Sequence, residues 1–333
     1  MKVLISRDIP RRGIELLTAE GYEVTVCPDD RLLTQVELID LARRHDALLC
    51  MFSDAIDKHF LNECKHLKVI AQFAVGYDNI DIAESTRLRI PIGNTPDVLS
   101  GATADVAFLL MLAASRKGFH LHKSISLGQW SFFRPNAHLG LELRNKTLGI
   151  FGLGRIGMEM ARLCAGAYQM KILYHNRTNN AAAEKMFAAR RVEFDDLLAH
   201  SDVLSVHSSL TEETRGIFNK NAFCRMKRTA IFVNTARGPI HNETDLIEAL
   251  HDGTIWGAGL DVTNPEPMKT DNPLLAMENV AVLPHIGSST IETRDEMARV
   301  AAENIICGLR GKRLPTIVNP EVYTNPGASN PLA

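Results

Sequence analysis

Gly152-Leu153-Gly154-Arg155-Ile156-Gly157 decides the fold. It follows a strand-like run, Thr147-Leu-Gly-Ile-Phe151, and opens a helix-like stretch from Arg155 through Cys164. A strand, a glycine turn and a helix in that order are the context a dinucleotide fingerprint requires. Gly152 permits the tight turn, Gly154 lets the backbone approach a pyrophosphate, and Gly157 lets the helix pack closely on the strand. The helix N-terminus then offers unpaired N–H groups to phosphate. The pattern alone is weak evidence, because glycine turns before helices are common. It lies near the middle of the chain, so the residues before it need another task.

Outward from that turn, strand-like and helix-like segments alternate. Val3–Ser6, Tyr22–Val26, Ala47–Met51 and Val69–Gln72 read as strands, with an amphipathic segment around Ile14–Ala19. Thr34-Gln-Val-Glu37 is a capping-box pattern and predicts a helix to Arg44. Ser100–Lys117 reads as a long helix capped by Ser100, apolar nearly all round and therefore buried, in part against a second subunit. Ser126–Glu142 reads as irregular. Further strands are expected at Thr147–Phe151, Ile172–Tyr174, Val203–His207, Ala230–Asn234, Ile255–Leu260 and Val280–Leu283, with a last helix over Ile291–Arg310. The turn-rich tail Thr324–Pro331 reads as mobile. This alternation predicts α/β architecture with parallel sheets covered on both faces. A final helix that packs back on the first domain makes that domain discontinuous, and two chain crossings favour open–close motion.

Composition narrows the function. The chain has 333 residues, 45% apolar and 23% charged, with a net charge of −2, so a globular protein of two ordinary domains is expected. No basic block points to nucleic acid. The apolar run Val106–Ser115 is too short to span a bilayer, and a strand starting at the first residues leaves no room for a secretory signal. Cysteines at 27, 50, 64, 164, 224 and 307 lack CxxC spacing, which disfavours a metal site and suggests small buried thiols. A cytoplasmic setting is the default expectation.

Three residues carry the chemistry. Arg237 in Asn234-Thr-Ala-Arg-Gly238, Glu266 in Asn264-Pro-Glu-Pro267 and His285 in Leu283-Pro-His-Ile-Gly-Ser288 each follow a different predicted strand of one sheet. Ligands collect at the carboxyl ends of such strands. Singly, each has a bland reading: a loop-neutralising arginine, an exposed glutamate, one of several ordinary histidines. Together they form a set. A carboxylate beside a histidine fixes its tautomer and stabilises its cation, and an arginine forks onto an anionic substrate. That set suits hydride transfer to a carbonyl flanked by a carboxylate.

With Val75-Gly-Tyr-Asp-Asn-Ile-Asp81, Gly259-Leu-Asp-Val262 and Pro265-Glu-Pro267 added, the motifs run in order over nearly the whole chain. They resemble those of the D-isomer-specific 2-hydroxyacid dehydrogenases, with Asp261-Val-Thr-Asn-Pro-Glu-Pro267 most like the glyoxylate/hydroxypyruvate reductase branch. The resemblance implies two Rossmann-like, doubly wound domains and a homodimer. A substrate domain, flavodoxin-like, would comprise 1–99 and 286–333, with an inserted dinucleotide-binding domain at 100–285. It implies that Arg237, Glu266 and His285 are catalytic, with His285 as acid/base. Val75 and Gly76 would bind the substrate carboxylate through backbone N–H groups. Cofactor contacts would fall on Gly152, Gly154, Arg155, Ile156, Gly157, Ser209, Thr235, Ala236, Asp261, His285 and Gly287.

Two departures stand out. Ser209 replaces a common proline, and Phe133 stands where some related reductases place a tryptophan. The strand Lys171–His175 ends in Asn176-Arg177-Thr178 without an acid. A ribose-binding carboxylate would mark NAD. Arg177, with Asn176 and Thr178 as donors, favours NADP(H) over NAD(H). The substrate pocket would draw on Phe52, Ser53, Phe73, Val98 and Leu99. The expected reaction is reduction of a small 2-oxoacid, glyoxylate or hydroxypyruvate. The alternatives are 2-ketogluconate or another D-2-hydroxyacid, or a nucleotide-sensing, corepressor-like binding protein on the same scaffold.

Overall fold

The structure is a computed structural model that describes residues 1–28 and 31–324. Contacts divide the chain into two compact units: Met1–Leu99 with the segment from Ser289 onward, and Ser100–Ser288.

In the first unit the order is β1 (Lys2–Ile5), α1 (Arg11–Ala19), β2 (Glu23–Val26), α2 (Gln35–Ala42), β3 (Ala47–Cys50), α3 (Lys58–Glu63), β4 (Val69–Gln72), α4 (Ile82–Arg87) and β5 (Ile92–Gly93). All its strand pairs are parallel, in the order β2-β1-β3-β4-β5. β3 and β4 are buried at every position, as strands covered on both faces must be. Thr34 and Glu37 form the expected capping box at α2.

The second unit runs α5 (Ser100–Arg116), α6 (Gly118–Ser126), β6 (Thr147–Phe151), α7 (Arg155–Tyr168), β7 (Lys171–His175), α8 (Ala181–Phe187), β8 (Arg190–Arg191), α9 (Phe194–His200), β9 (Val203–Val206), α10 (Lys220–Arg225), β10 (Ile231–Asn234), α11 (Glu243–His251), β11 (Gly257–Leu260) and β12 (Val280–Val282). Its seven-stranded parallel sheet has the order β12-β11-β10-β9-β6-β7-β8. After β6 the chain winds outward through β7 and β8, then returns to β6's other side at β9. That reversal is the switch point at which such sheets open a crevice for ligands. The chain leaves this unit and forms α12 (Ile291–Leu309), which packs on α1 and on β3 and β4 of the first unit.

Several expectations are corrected. Ser100 is the first helical residue of α5 rather than its cap. Leu109 on that helix is 46% exposed in the single chain. A helix, α6, occupies Gly118–Ser126, where the sequence suggests none. It restarts after Lys117, whose φ of 55° breaks the path from α5. The short strands β5 and β8 were also not expected. Cys27, Cys50, Cys64 and Cys164 are buried thiols, but Cys224 is exposed. The tail expected to be mobile lies, beyond Thr324, outside the described residues. No helix among the described residues is long and apolar enough to cross a membrane, and no cluster of potential metal ligands occurs among them.

Candidate active site

The glycine turn comes first, because its backbone geometry admits little else. Gly152 has φ +92°, and a Cβ there would stand 2.6 Å from the Ser208 nitrogen. A Cβ on Gly157 would stand 2.9 Å from the Gly152 carbonyl and 3.1 Å from Ile150. Gly154 is the opposite case: nothing lies within 4 Å of its Cβ position. Gly154 also caps α7 without any side-chain bond. An open backbone at an uncapped helix N-terminus fits a pyrophosphate. Arg155 is exposed at the first position of α7, and Ile156 is half-buried beside it.

From the end of β7, Asn176 turns back onto this cradle. Its Oδ1 accepts from Leu153 N at 2.6 Å and its Nδ2 donates to Leu153 O at 3.2 Å. Its amide is engaged with the glycine turn, leaving the exposed Arg177 and Thr178 as the side chains presented at that corner. At the end of β9, Ser209 O accepts from the Thr214 hydroxyl.

Arg237, Glu266 and His285 stand at the carboxyl ends of β10, β11 and β12, within one unit. Asn234, the last residue of β10, shapes the arginine turn: its Oδ1 accepts from Ala236 N at 2.9 Å and its Nδ2 donates to Arg237 O at 2.9 Å. Asn234 in turn lies 3.0 Å from Nδ1 of the buried His241. Arg237 is half-buried, and its Nη1 donates to Ala236 O at 2.8 Å. The next residue, Gly238, packs directly on the segment after β11: a Cβ there would fall 1.9 Å from Thr263 O. The arginine turn and the Glu266 segment are therefore in backbone contact.

Glu266 lies between two cis peptide bonds, Asn264–Pro265 and Glu266–Pro267. Glu243, in the first turn of α11, holds that segment by accepting from Asn264 N at 3.0 Å and Asn272 Nδ2 at 2.7 Å. Glu266 Oε1 meets His285 Nδ1 at 2.6 Å, with side-chain exposures of 32% and 23%. A short, partly shielded contact of this kind is a charge-assisted bond when the ring is protonated. His285 has φ +53°, a left-handed conformation rare for a residue with a side chain and enriched at functional sites.

Asp261 holds it there. The His285 N–H donates to Asp261 O at 2.9 Å, while the Asp261 carboxylate accepts from Ile286 N and Gly287 N, both at 2.8 Å. Asp261 is only 1% exposed, and burial pushes its carboxyl above the ordinary value against the pull of those N–H groups. The Asp261 carboxylate thus braces the turn that carries His285.

Sequence reasoning missed three residues. His207 is half-buried between the Ser205 hydroxyl (2.8 Å from Nε2) and the Thr235 hydroxyl (3.3 Å from Nδ1). Burial pushes both His207 and His241 down to about 4, so both rings are neutral supports for β10's end. Glu243 is the third. The signal available for each was a polar residue flanking a strand end or helix start, which does not name its partner.

In the first unit, Val75 and Gly76 follow β4. Asn94 Nδ2 donates to Val75 O at 2.9 Å and Gln72 Nε2 to Gly76 O at 3.2 Å. Both carbonyls of the turn are thus engaged. Phe73 and Leu99 are buried at 5% and 6%, Val98 is half-buried, Phe52 is 39% exposed, and Ser53 accepts from Arg7. Phe133, in the second unit, is 83% exposed.

Residues 108–287 match the family described as D-isomer specific 2-hydroxyacid dehydrogenase, NAD binding domain. The chain is 41% identical over 328 residues to a glyoxylate reductase of Thermococcus litoralis, covering 97% of this chain and 98% of that one. Among solved structures it resembles a glyoxylate reductase from Paecilomyes thermophila (TM-score 0.85, 33% identity, 96% of this chain and 98% of that one). It also resembles an NADPH-dependent glyoxylate/hydroxypyruvate reductase from Sinorhizobium meliloti in complex with NADP and malonate (TM-score 0.82, 28% identity, 98% and 99%).

Proposed function

The chain belongs to the D-isomer-specific 2-hydroxyacid dehydrogenases, and from that premise we propose that it reduces glyoxylate or hydroxypyruvate to the 2-hydroxyacid, preferring NADPH. The observation that carries the reading is the 2.6 Å Glu266–His285 pair, set at a strand end in the same unit as the Arg237 turn. The glycine turn and the N-terminus of α7 would hold the cofactor pyrophosphate, and the reduced nicotinamide supplies hydride when bound.

Glu266 accepts from Nδ1–H of His285, which leaves Nε2–H as the proton delivered to the substrate oxygen. Asp261 fixes the turn, so the ring is already aimed when charge develops. Arg237 takes the substrate carboxylate with a planar, permanently charged fork. In the oxidative direction His285 accepts the proton.

The NADPH preference is supported by the absence of an acid after β7 and by exposed Arg177 and Thr178. It is also supported by the Sinorhizobium relative, whose description is NADPH-dependent. Homodimer formation belongs to the same proposal. Its support is the exposure of Leu109, Ile125, Leu127, Trp130, Phe132 and Phe133 in the single chain. The cytoplasm suits six free thiols.

Steady-state turnover of glyoxylate, hydroxypyruvate, pyruvate and 2-ketogluconate, each with NADPH and NADH, tests the activity. Glyoxylate or hydroxypyruvate with NADPH is expected to give the highest kcat/KM. A larger value with 2-ketogluconate would reassign the substrate, and no turnover with any of them would favour a binding protein. Sedimentation velocity tests the dimer.

A further inference from the structure

The loop after β7 is fastened on two sides, and the second fastening comes from an arginine outside the glycine motif. On one side Asn176 and Asn180 both donate to Leu153 O, at 3.2 and 3.1 Å, while Asn176 accepts from Leu153 N. The loop and the phosphate cradle are therefore joined. On the other side stands Arg191, at the end of the edge strand β8 and in register with Tyr174. Its Nε donates to Asn176 O at 2.9 Å, its Nη2 to Arg177 O at 3.2 Å and its Nη1 to Asn179 Oδ1 at 3.1 Å. The register is carried past the strand by Val192, whose N–H donates to Tyr174 O at 2.9 Å and whose carbonyl meets His175 Nδ1 at 3.0 Å.

We propose that Arg191 is a positioning residue for nucleotide selection: by holding the Asn176 and Arg177 carbonyls it fixes the peptide planes from which Arg177 reaches a ribose 2′-phosphate. The physical reason is twofold. A phosphate is repelled by carbonyl oxygens, and two of them are pinned on the guanidinium. A pre-set backbone also removes the ordering cost that a mobile loop would incur on binding. The guanidinium reaches the three acceptors from three separate nitrogens in a fixed plane; an ammonium would have to reach all three from one nitrogen on a flexible stem. This inference rests on the NADPH reading above.

The test compares wild type, Arg191→Ala, Arg191→Lys and Arg177→Ala in kcat and KM for both nucleotides with saturating glyoxylate. Calorimetric titration with 2′,5′-ADP and with 5′-AMP adds a readout that needs no turnover. Arg191→Ala is expected to lower the NADPH/NADH ratio of kcat/KM about tenfold, through KM, with kcat at saturation within about twofold. It should weaken 2′,5′-ADP binding and leave 5′-AMP binding nearly unchanged, and Arg191→Lys should recover little. An unchanged ratio, or an equal loss for both nucleotides, overturns the role of Arg191 while leaving the NADPH reading intact. A wild type that uses NADH better and binds 2′,5′-ADP no more tightly than 5′-AMP overturns both.

Discussion

His285 is held at φ +53° by bonds at both ends of its turn, from its own N–H to Asp261 O and from the Ile286 and Gly287 N–H groups to the Asp261 carboxylate. A left-handed non-glycine residue costs about 1–3 kcal/mol and persists only where its surroundings over-determine it. Here they do, and the result is a ring whose Nδ1 is committed to Glu266. Replacing Glu266 by Gln keeps the shape but removes the charge that stabilises the imidazolium. The expected outcome is a fall in kcat of roughly 10²-fold with little change in nucleotide KM, read by steady-state kinetics. Arg237→Lys preserves charge and loses the fork. It is expected to raise the oxoacid KM about tenfold or more, and a KM within twofold of wild type would remove Arg237 from carboxylate binding. These three residues were visible in the sequence because each follows a strand, and strand ends are where the fold gathers chemistry. Their supports were not. Glu243 and the segment it holds lie 21 residues apart at Asn264, and Asn176 meets Leu153 across 23 residues. No local pattern encodes such pairs.

At the scale of elements, legibility followed the locality of the cause. The strands β4 and β6 were read to the residue because an apolar run bounded by turns fixes a buried parallel strand. The capping box at α2 was equally plain, since both partners lie within one turn. Helix α6 was missed because it begins with glycine, carries His, Lys and Ser, and follows a single left-handed residue that reads as a terminus. The two-residue strands β5 and β8 exist only through their neighbours. Where the cause is local, substitution has a sharp consequence. Gly152→Ala must adopt φ +92° and meet Ser208 N at 2.6 Å. The expected cost is about 2–4 kcal/mol. It should appear as a lowered Tm of the Ser100–Ser288 unit together with loss of nucleotide binding by calorimetry. A variant that binds nucleotide normally would contradict the role given to this turn.

For the whole molecule, His207 and the buried His241 tie stability to pH. His207 and His241 are each depressed from 6.5 to about 4 by burial. Above pH 6.5 both folded and unfolded chains carry neutral rings, and these groups impose no pH dependence. Between pH 6.5 and 4 the unfolded chain binds two protons that the folded chain refuses, so stability falls as pH falls. Each histidine accounts for about 3 kcal/mol over that window. Both tryptophans, Trp130 and Trp256, lie in the same unit as the two histidines, so tryptophan fluorescence reports the unfolding that matters. Denaturant titrations at pH 7, 6 and 5 are expected to show a progressive loss of stability. His241→Gln should lose about half of the histidine contribution to that slope while keeping an acceptor for Asn234. A slope identical to wild type would mean that His241 takes up its proton as readily in the folded chain as in the unfolded one, and would remove it from the pH dependence.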